Sequence, residues 1–183
     1  MSTTTNKPWT ADELDRLPEG WRYEIDEGEL VIMAPAGLDH GEAVSATDML
    51  LRQFVRAQKL GKVFSGEVGF RLQVGSETLR GVDIAYISNE RLARIADRRG
   101  FSDVPPDLAV EVHLPDERDM QRKVQQYLAA GVRAVWVMDP RKRSLTQYRP
   151  GEPATVIADM NATVQEPVLP GFECRLLELF GEK

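Results

Sequence analysis

Leu108-Ala-Val-Glu-Val112 and Val132-Arg-Ala-Val-Trp-Val-Met138 are the two stretches whose reading decides the fold. Each is a short apolar run rich in β-branched residues. Pro105-Pro106-Asp107 precedes the first and Asp139-Pro140 closes the second. Runs of this kind suit strands buried on both faces, the pattern of a parallel pair. Between them Asp116 is placed to cap a helix through Tyr127 and Leu128 to Ala130, and Gly131 supplies a natural stop. A strand, helix and strand joined in this way make a right-handed parallel crossover. The fold is therefore α/β, and the rest of the chain is arranged around this unit.

Working towards the N-terminus, residues 82–87 read as another strand, and residues 63–74 as a strand or two interrupted by Gly66 and Gly69. Gly75-Ser-Glu reads as a turn between them. Asn89 is placed to cap a short arginine-rich helix ending near Gly100. Ala43, Ala46, Met49, Leu50, Phe54 and Val55 recur at three- and four-residue steps, which predicts a helix over 40–59 with that stripe buried. Residues 21–26 and 30–34 flank Glu27-Gly28 and predict an N-terminal β-hairpin. Thr10 and Glu13 have capping-box spacing ahead of a short helix that stops at Leu17-Pro18. Towards the C-terminus, residues 144–148 and 154–157 read as extra outer strands, and residues 172–180 as a short helix. The sheet is mixed and flanked by helices. No repeat or composition break divides the chain, so it reads as a single domain over 1–183 with a flexible tail over 1–9.

Composition limits the function. The chain has 183 residues, 42% hydrophobic and 28% charged, which is ordinary for a globular protein. No apolar run is long enough to span a membrane and the first residues carry no signal-peptide pattern, so the expected location is cytoplasmic with no membrane partner. Cys174 is the only cysteine, which excludes an internal disulfide and a multi-cysteine zinc site. With His40 and His113 the only histidines, any metal must be held mainly by oxygen, favouring Mg²⁺ or Mn²⁺. A net charge of −6 suits a nucleic-acid partner poorly unless a basic face is local. Arg91, Arg94, Arg98 and Arg99 form one candidate face and Arg141, Lys142 and Arg143 another. Both runs also read as solvated surface charge.

Three polar groups stand out against apolar surroundings. Asp83 lies within the strand Gly81-Val-Asp-Ile-Ala-Tyr-Ile, and Glu111 within the central one. A buried ionised carboxylate is costly unless it is paired or bound to a metal. Two of them on neighbouring strands repel one another and invite a divalent cation. Lys123 is one helical turn from Tyr127, on the same helix face. That helix starts just after the Glu111 strand, where an ammonium can stabilise charge on a phosphate. The plain alternatives are a solvent-facing strand carboxylate and a solvated lysine. Trp21 and Trp136 read as packing residues, and Cys174 as a small buried apolar side chain.

Val82-Asp83, Pro106-Asp-Leu-Ala-Val-Glu111-Val, Lys123-Val-Gln-Gln-Tyr127 and Gly131-Val-Arg-Ala-Val-Trp-Val-Met-Asp139-Pro, in that order, resemble a family of bacterial proteins, common in cyanobacteria, named for restriction endonucleases. Leu17-Pro18, Tyr23-Glu-Ile-Asp-Glu-Gly-Glu-Leu30 and His40 extend the resemblance over about Asp12 to Leu179. The family sits in the PD-(D/E)xK nuclease superfamily. The resemblance implies a restriction-endonuclease-like core with a four-stranded mixed sheet, and metal-dependent hydrolysis of phosphodiester bonds in DNA. It implies Asp83, Glu111 and Lys123 as catalytic residues, with Asp83, Glu111 and the Val112 backbone carbonyl holding Mg²⁺ or Mn²⁺. His113, Tyr127, Glu42, Glu24 and His40 are supporting candidates. Two departures stand out: Val82 replaces the motif proline, and His113 replaces the lysine expected two residues after Glu111. Lys123 is then the migrated cation, while His113 is either a satisfied cleft histidine or a metal or phosphate contact. DNA is the expected partner and a homodimer is possible. The rival reading is a catalytically inactive nuclease-fold protein that binds nucleic acid or a protein partner.

Overall fold

The computed structural model describes residues 7–14, 16–18, 22–72, 76–113 and 117–182. Trp21, Val74, Gly75, Leu114, Pro115 and the expected cap Asp116 lie outside that set. The deciding unit is β5 (Leu108–Val112), α4 (Glu117–Ala129) and β6 (Ala134–Asp139), and β5 and β6 pair in parallel. All five β5 residues are buried, as expected for a strand covered on both faces. Side chains alternate across a strand. Leu108, Val110 and Val112 accordingly pack with Trp136 and Met138 on one face, while Ala109 packs with Val135 on the other. Glu111 shares the Ala109 face, the one α4 covers with Val124 and Tyr127.

Around this unit run α1 (Ala11–Leu14), β1 (Arg22–Asp26), β2 (Glu29–Met33), α2 (Leu38–Gln58), β3 (Gly61–Leu72), β4 (Thr78–Ser88) and α3 (Asn89–Leu92). After β6 come β7 (Ser144–Tyr148), β8 (Thr155–Ile157), β9 (Thr163–Gln165), β10 (Glu173–Arg175) and α5 (Leu176–Leu179). The main sheet is mixed and runs β2-β1-β4-β5-β6-β7-β8, with β3 on β4. It has eight strands, because the hairpin β1-β2 and the C-terminal strands β7 and β8 join the four strands β3, β4, β5 and β6. β9 and β10 form a separate pair. The α2 face is filled by Leu51, Val55, Ile84, Trp136, Leu145 and Leu169. No helix among the described residues is long and apolar enough to cross a membrane.

The pairing of β4 positions the site. β3 runs along it from Gly61↔Ser88 to Leu72↔Thr78. The opposite edge is therefore shared: β1 touches it at Leu79, and β5 pairs with it at Ile84, Ala85 and Tyr86. Arg80, Gly81, Val82 and Asp83 lie in the fork between β1 and β5. On the β3 side the register shifts between Ser65 and Val68, so that Gly66 and Glu67 oppose Asp83. Such a bulge twists the strand and re-aims the side chain opposite it.

Several local expectations are corrected. α2 begins at Leu38, and its buried stripe is Ala43, Thr47, Leu51 and Val55; Met49 points outward. The polar Thr47 is accommodated in the core because its hydroxyl donates to Leu179 O (3.0 Å). α1 stops at Leu14, short of Leu17-Pro18. α3 is one turn, and Ser88 rather than Asn89 caps it, accepting from Arg91 N–H (3.4 Å), while the Asn89 amide donates to Lys59 O (2.7 Å). Residues 172–180 are not one helix: Glu173–Arg175 pairs with Thr163–Gln165, and only Leu176–Leu179 winds up. Of the expected tail, Trp9 donates its N–H to Gly28 O (2.8 Å) and packs beside Leu14 and Ile25.

Candidate active site

The fork forces a problem on the backbone, because β4 residues 80–83 have no strand beside them on that edge. Buried backbone groups must still find partners, and side chains supply them. Glu24 Oε1 accepts from Gly81 N–H (3.0 Å), Lys123 Nζ donates to Gly81 O (3.3 Å), and Asp83 Oδ2 accepts from Val112 N–H (2.8 Å). The carboxylates and the ammonium thus fill the place of a missing strand, and they enclose a cleft of about 240 Å³.

At its centre Glu111 is held from α4. Its Oε2 lies 3.0 Å from Lys123 Nζ, and its Oε1 accepts from the Tyr127 hydroxyl (2.6 Å). Lys123 also lies 2.9 Å from Glu24 Oε1, so one ammonium bridges β5 and β1. Asp83 faces His40 Nε2 at 3.3 Å. Glu24 is held in turn by Arg80, 2.9 Å away, and Arg80 also reaches Asp26 Oδ1 (2.7 Å) and the Gln126 side-chain oxygen (2.7 Å). Asp26 further accepts from Gln126 Nε2 (2.8 Å) and pairs with Arg122.

The electrostatics follow from burial and charge. Burial pushes the Glu111 carboxyl up to about 7, with Asp83 and Glu24 adding repulsion that Lys123 opposes. Burial also acts to raise Asp83, but His40 and the Val112 N–H hold it below its ordinary value. Burial favours the neutral amine at Lys123, yet Glu111 and Glu24 outweigh it and raise its pKa, so it stays charged. Neighbouring carboxyls pushed apart in acidity are a frequent mark of a reactive site.

Asp83, Glu111, Lys123, Tyr127, Glu24 and His40 therefore converge. His113 lines the same cleft and its backbone N–H donates to Met138 O (2.8 Å). Glu42 does not join them. It is exposed, two residues along α2 from His40, with its carboxylate beside Gly181. Arg80, Asp26 and Gln126 escaped the sequence reading. The signal for Asp26 was the alternation Arg22-Tyr-Glu24-Ile-Asp26, which puts charge on one face of a strand, whereas Arg80 and Gln126 lie on β4 and α4 outside it. One member of the first basic run is corrected as well, while Arg94, Arg98 and Arg99 are exposed. Arg91 is buried, donates to Pro105 O (2.9 Å), Pro106 O (2.6 Å) and Gly131 O (2.8 Å), and lies 3.3 Å from Asp107. It braces the turn into β5. Arg99 is paired with Asp97 (3.1 Å), and Arg143 with Glu182 (2.5 Å).

Among the described residues no three His, Cys, Asp or Glu side chains converge tightly enough to enclose a metal by themselves. Asp83 and Glu111 are nonetheless a hard-oxygen pair whose repulsion a divalent cation would relieve. Mg²⁺ commonly takes one or two carboxylates and completes its shell with water and substrate oxygens, so the donor set fits it.

The family model described as "Uma2: Putative restriction endonuclease" matches residues 11–178. A crystal structure from Anabaena variabilis, described as a putative nuclease belonging to DUF820, is similar to this chain with a TM-score of 0.79. It is 22% identical, and the match covers 95% of this chain and 98% of that one. No curated protein matches the chain.

Proposed function

Because the chain belongs to the Uma2 family, we propose that it is a metal-dependent endonuclease that hydrolyses phosphodiester bonds in DNA at the Asp83–Glu111 cleft. The observation that carries this reading is the Lys123 ammonium, 3.0 Å from Glu111 Oε2. A cation from α4 thereby stands beside the two acids, whereas the strand position two residues after Glu111 holds His113.

Asp83, Glu111 and the Val112 carbonyl would hold Mg²⁺ or Mn²⁺, which when bound supplies Lewis acidity to the scissile phosphate and to the attacking water. Lys123 presents its ammonium to the phosphate oxygens, where negative charge grows in the transition state. Tyr127 fixes the Glu111 carboxylate through Oε1. Glu24 ties Lys123 to the floor of the fork and stops it swinging into solvent. His40, 3.3 Å from Asp83, keeps that carboxylate ionised.

The test is plasmid nicking with Mg²⁺ or Mn²⁺ by wild type, Asp83→Ala and Lys123→Ala. Each substitution is expected to lower the rate by about a hundredfold or more. Cleavage undiminished in both variants would overturn the site. The second reading, a nuclease fold that binds nucleic acid without cutting, is favoured by the net charge of −6 and by His113 at the motif-lysine position. Calorimetry with Mn²⁺ separates the two, since absence of binding at millimolar metal supports the second.

A further inference from the structure

A second cavity, of about 330 Å³, opens beside the cleft and shares Arg22, Met33 and Gly81 with it. The two form a continuous groove, and Gly81 puts no side chain into the passage between them. The far side carries two aromatic rings, Tyr23 and Phe101, both partly exposed. Tyr23 is anchored by its hydroxyl, which donates to Pro18 O (3.2 Å). Phe101 packs against β3 at Gly69. A Cβ there would meet the ring at 2.4 Å, so any side chain at position 69 would displace it. Arg22 stands at the junction, one-third exposed, paired with Glu67 on the bulge. Glu67 itself adopts φ 60°, a left-handed conformation unfavourable for a residue with a side chain.

We propose that this cavity is a nucleobase subsite. It receives an unpaired base of the strand whose phosphate lies at Asp83 and Glu111, and the inference rests on the nuclease reading of that cleft. Aromatic rings beside a cationic group are what a single strand requires: every base has a π-face, and every linkage has a phosphate. Phe101 offers the stacking face. Arg22 exchanges its Glu67 partner for the phosphate that joins the stacked nucleotide to the scissile one. The cavity lies directly alongside the fork, so the base it takes is a neighbour of the cleaved bond.

The experiment is a cycle of three substrates and three proteins. A short single-stranded oligodeoxynucleotide is compared with versions carrying one abasic residue on either side of the cleaved bond. Wild type, Phe101→Ala and Phe101→Leu are assayed for kcat/KM, and for affinity by fluorescence anisotropy with a labelled strand. Phe101→Leu keeps apolar volume but removes the π-face, which guards against a folding defect in the alanine variant. In wild type the abasic change at one position is expected to lower kcat/KM or affinity by about tenfold, the scale of one base–aromatic stack. Both variants should lose that much on the intact strand and become indifferent to the abasic residue. Equal handling of intact and abasic strands by wild type overturns the subsite and leaves the nuclease reading standing. If wild type neither binds nor cleaves any strand or plasmid, the nuclease reading falls and the subsite falls with it.

Discussion

Replacing Glu111 with glutamine should stabilise the metal-free protein, although it removes a carboxylate proposed to hold the metal. Burial pushes this carboxyl from its ordinary value of 4.5 up to about 7. A carboxyl that binds its proton more tightly in the folded state favours folding while protonated. Its contribution is intact below about 4.5, is lost as pH climbs towards 7, and is absent above that. At about 1.4 kcal/mol per pKa unit, the interval corresponds to about 3 kcal/mol at pH 8. Glutamine imitates the protonated form: its oxygen can accept from Tyr127 or Lys123, and it brings no charge into a site already occupied by Asp83 and Glu24. Urea unfolding of wild type and Glu111→Gln in EDTA at pH 8 and pH 5 measures the effect. The variant should be more stable by about 3 kcal/mol at pH 8, with the gap shrinking to about 1 kcal/mol at pH 5. Adding Mn²⁺ at a hundredfold over its Kd should raise the wild type by about 2.7 kcal/mol and leave the variant unchanged. A variant no more stable than wild type at pH 8, or a gap independent of pH, would refute the claim that burial and like charge dominate at Glu111.

Arg80→Met should cost about 1.5–3 kcal/mol in chemical denaturation, because the buried carboxylates Glu24 and Asp26 each lose one of two cations and keep only Lys123 and Arg122. Arg80→Lys should recover only part, since one ammonium cannot span Glu24, Asp26 and Gln126 as the planar guanidinium does. Arg91→Met should destabilise by about 1.5–3 kcal/mol, through the Pro105, Pro106 and Gly131 carbonyls that lose their donor, while Asp107 keeps Arg133, and it should leave Mn²⁺ affinity by calorimetry unchanged in the folded fraction. Burial, helped by Glu178, pushes the Cys174 thiol up to about 12. Native protein should therefore resist a thiol-reactive disulfide reagent at pH 8 and react only on unfolding, as followed by absorbance.

The central unit was legible because its signals are local. The apolar run 108–112 becomes a strand over the same residues, and Gly131, with φ 91°, stops the helix where the sequence predicts. The turn at Glu27-Gly28 is equally local: both residues have positive φ, as a two-residue hairpin requires. The C-terminal segment failed for a different reason. Phe172-Glu-Cys-Arg-Leu176 alternates buried and exposed, a period of two, but Leu176-Leu177 and Leu179 that follow suggested a helix over the whole stretch. Its strand also depends on a partner, residues 163–165, that is too short to stand out alone.

The chemistry divides along the same line. Apolar patterning alone marked Asp83 and Glu111 as costly places for charge, and i,i+4 spacing put Lys123 and Tyr127 on one helix face. Those inferences need only strand and helix periodicity, which the chain carries locally. Tertiary structure decided that the helix face covers the Glu111 side of β5, and that β1 and β5 share one edge of β4. The resulting fork leaves Gly81 and its neighbours without a strand partner. Glu24 and Arg80 enter the site for that reason: unsatisfied backbone and buried charge must be answered by whatever side chains the fold brings near. Glu42, two residues along α2 from the His40 that faces Asp83, stays outside because about half a helical turn aims it towards Gly181 instead. Sequence spacing can tell which residues share a face, but only packing determines what that face meets.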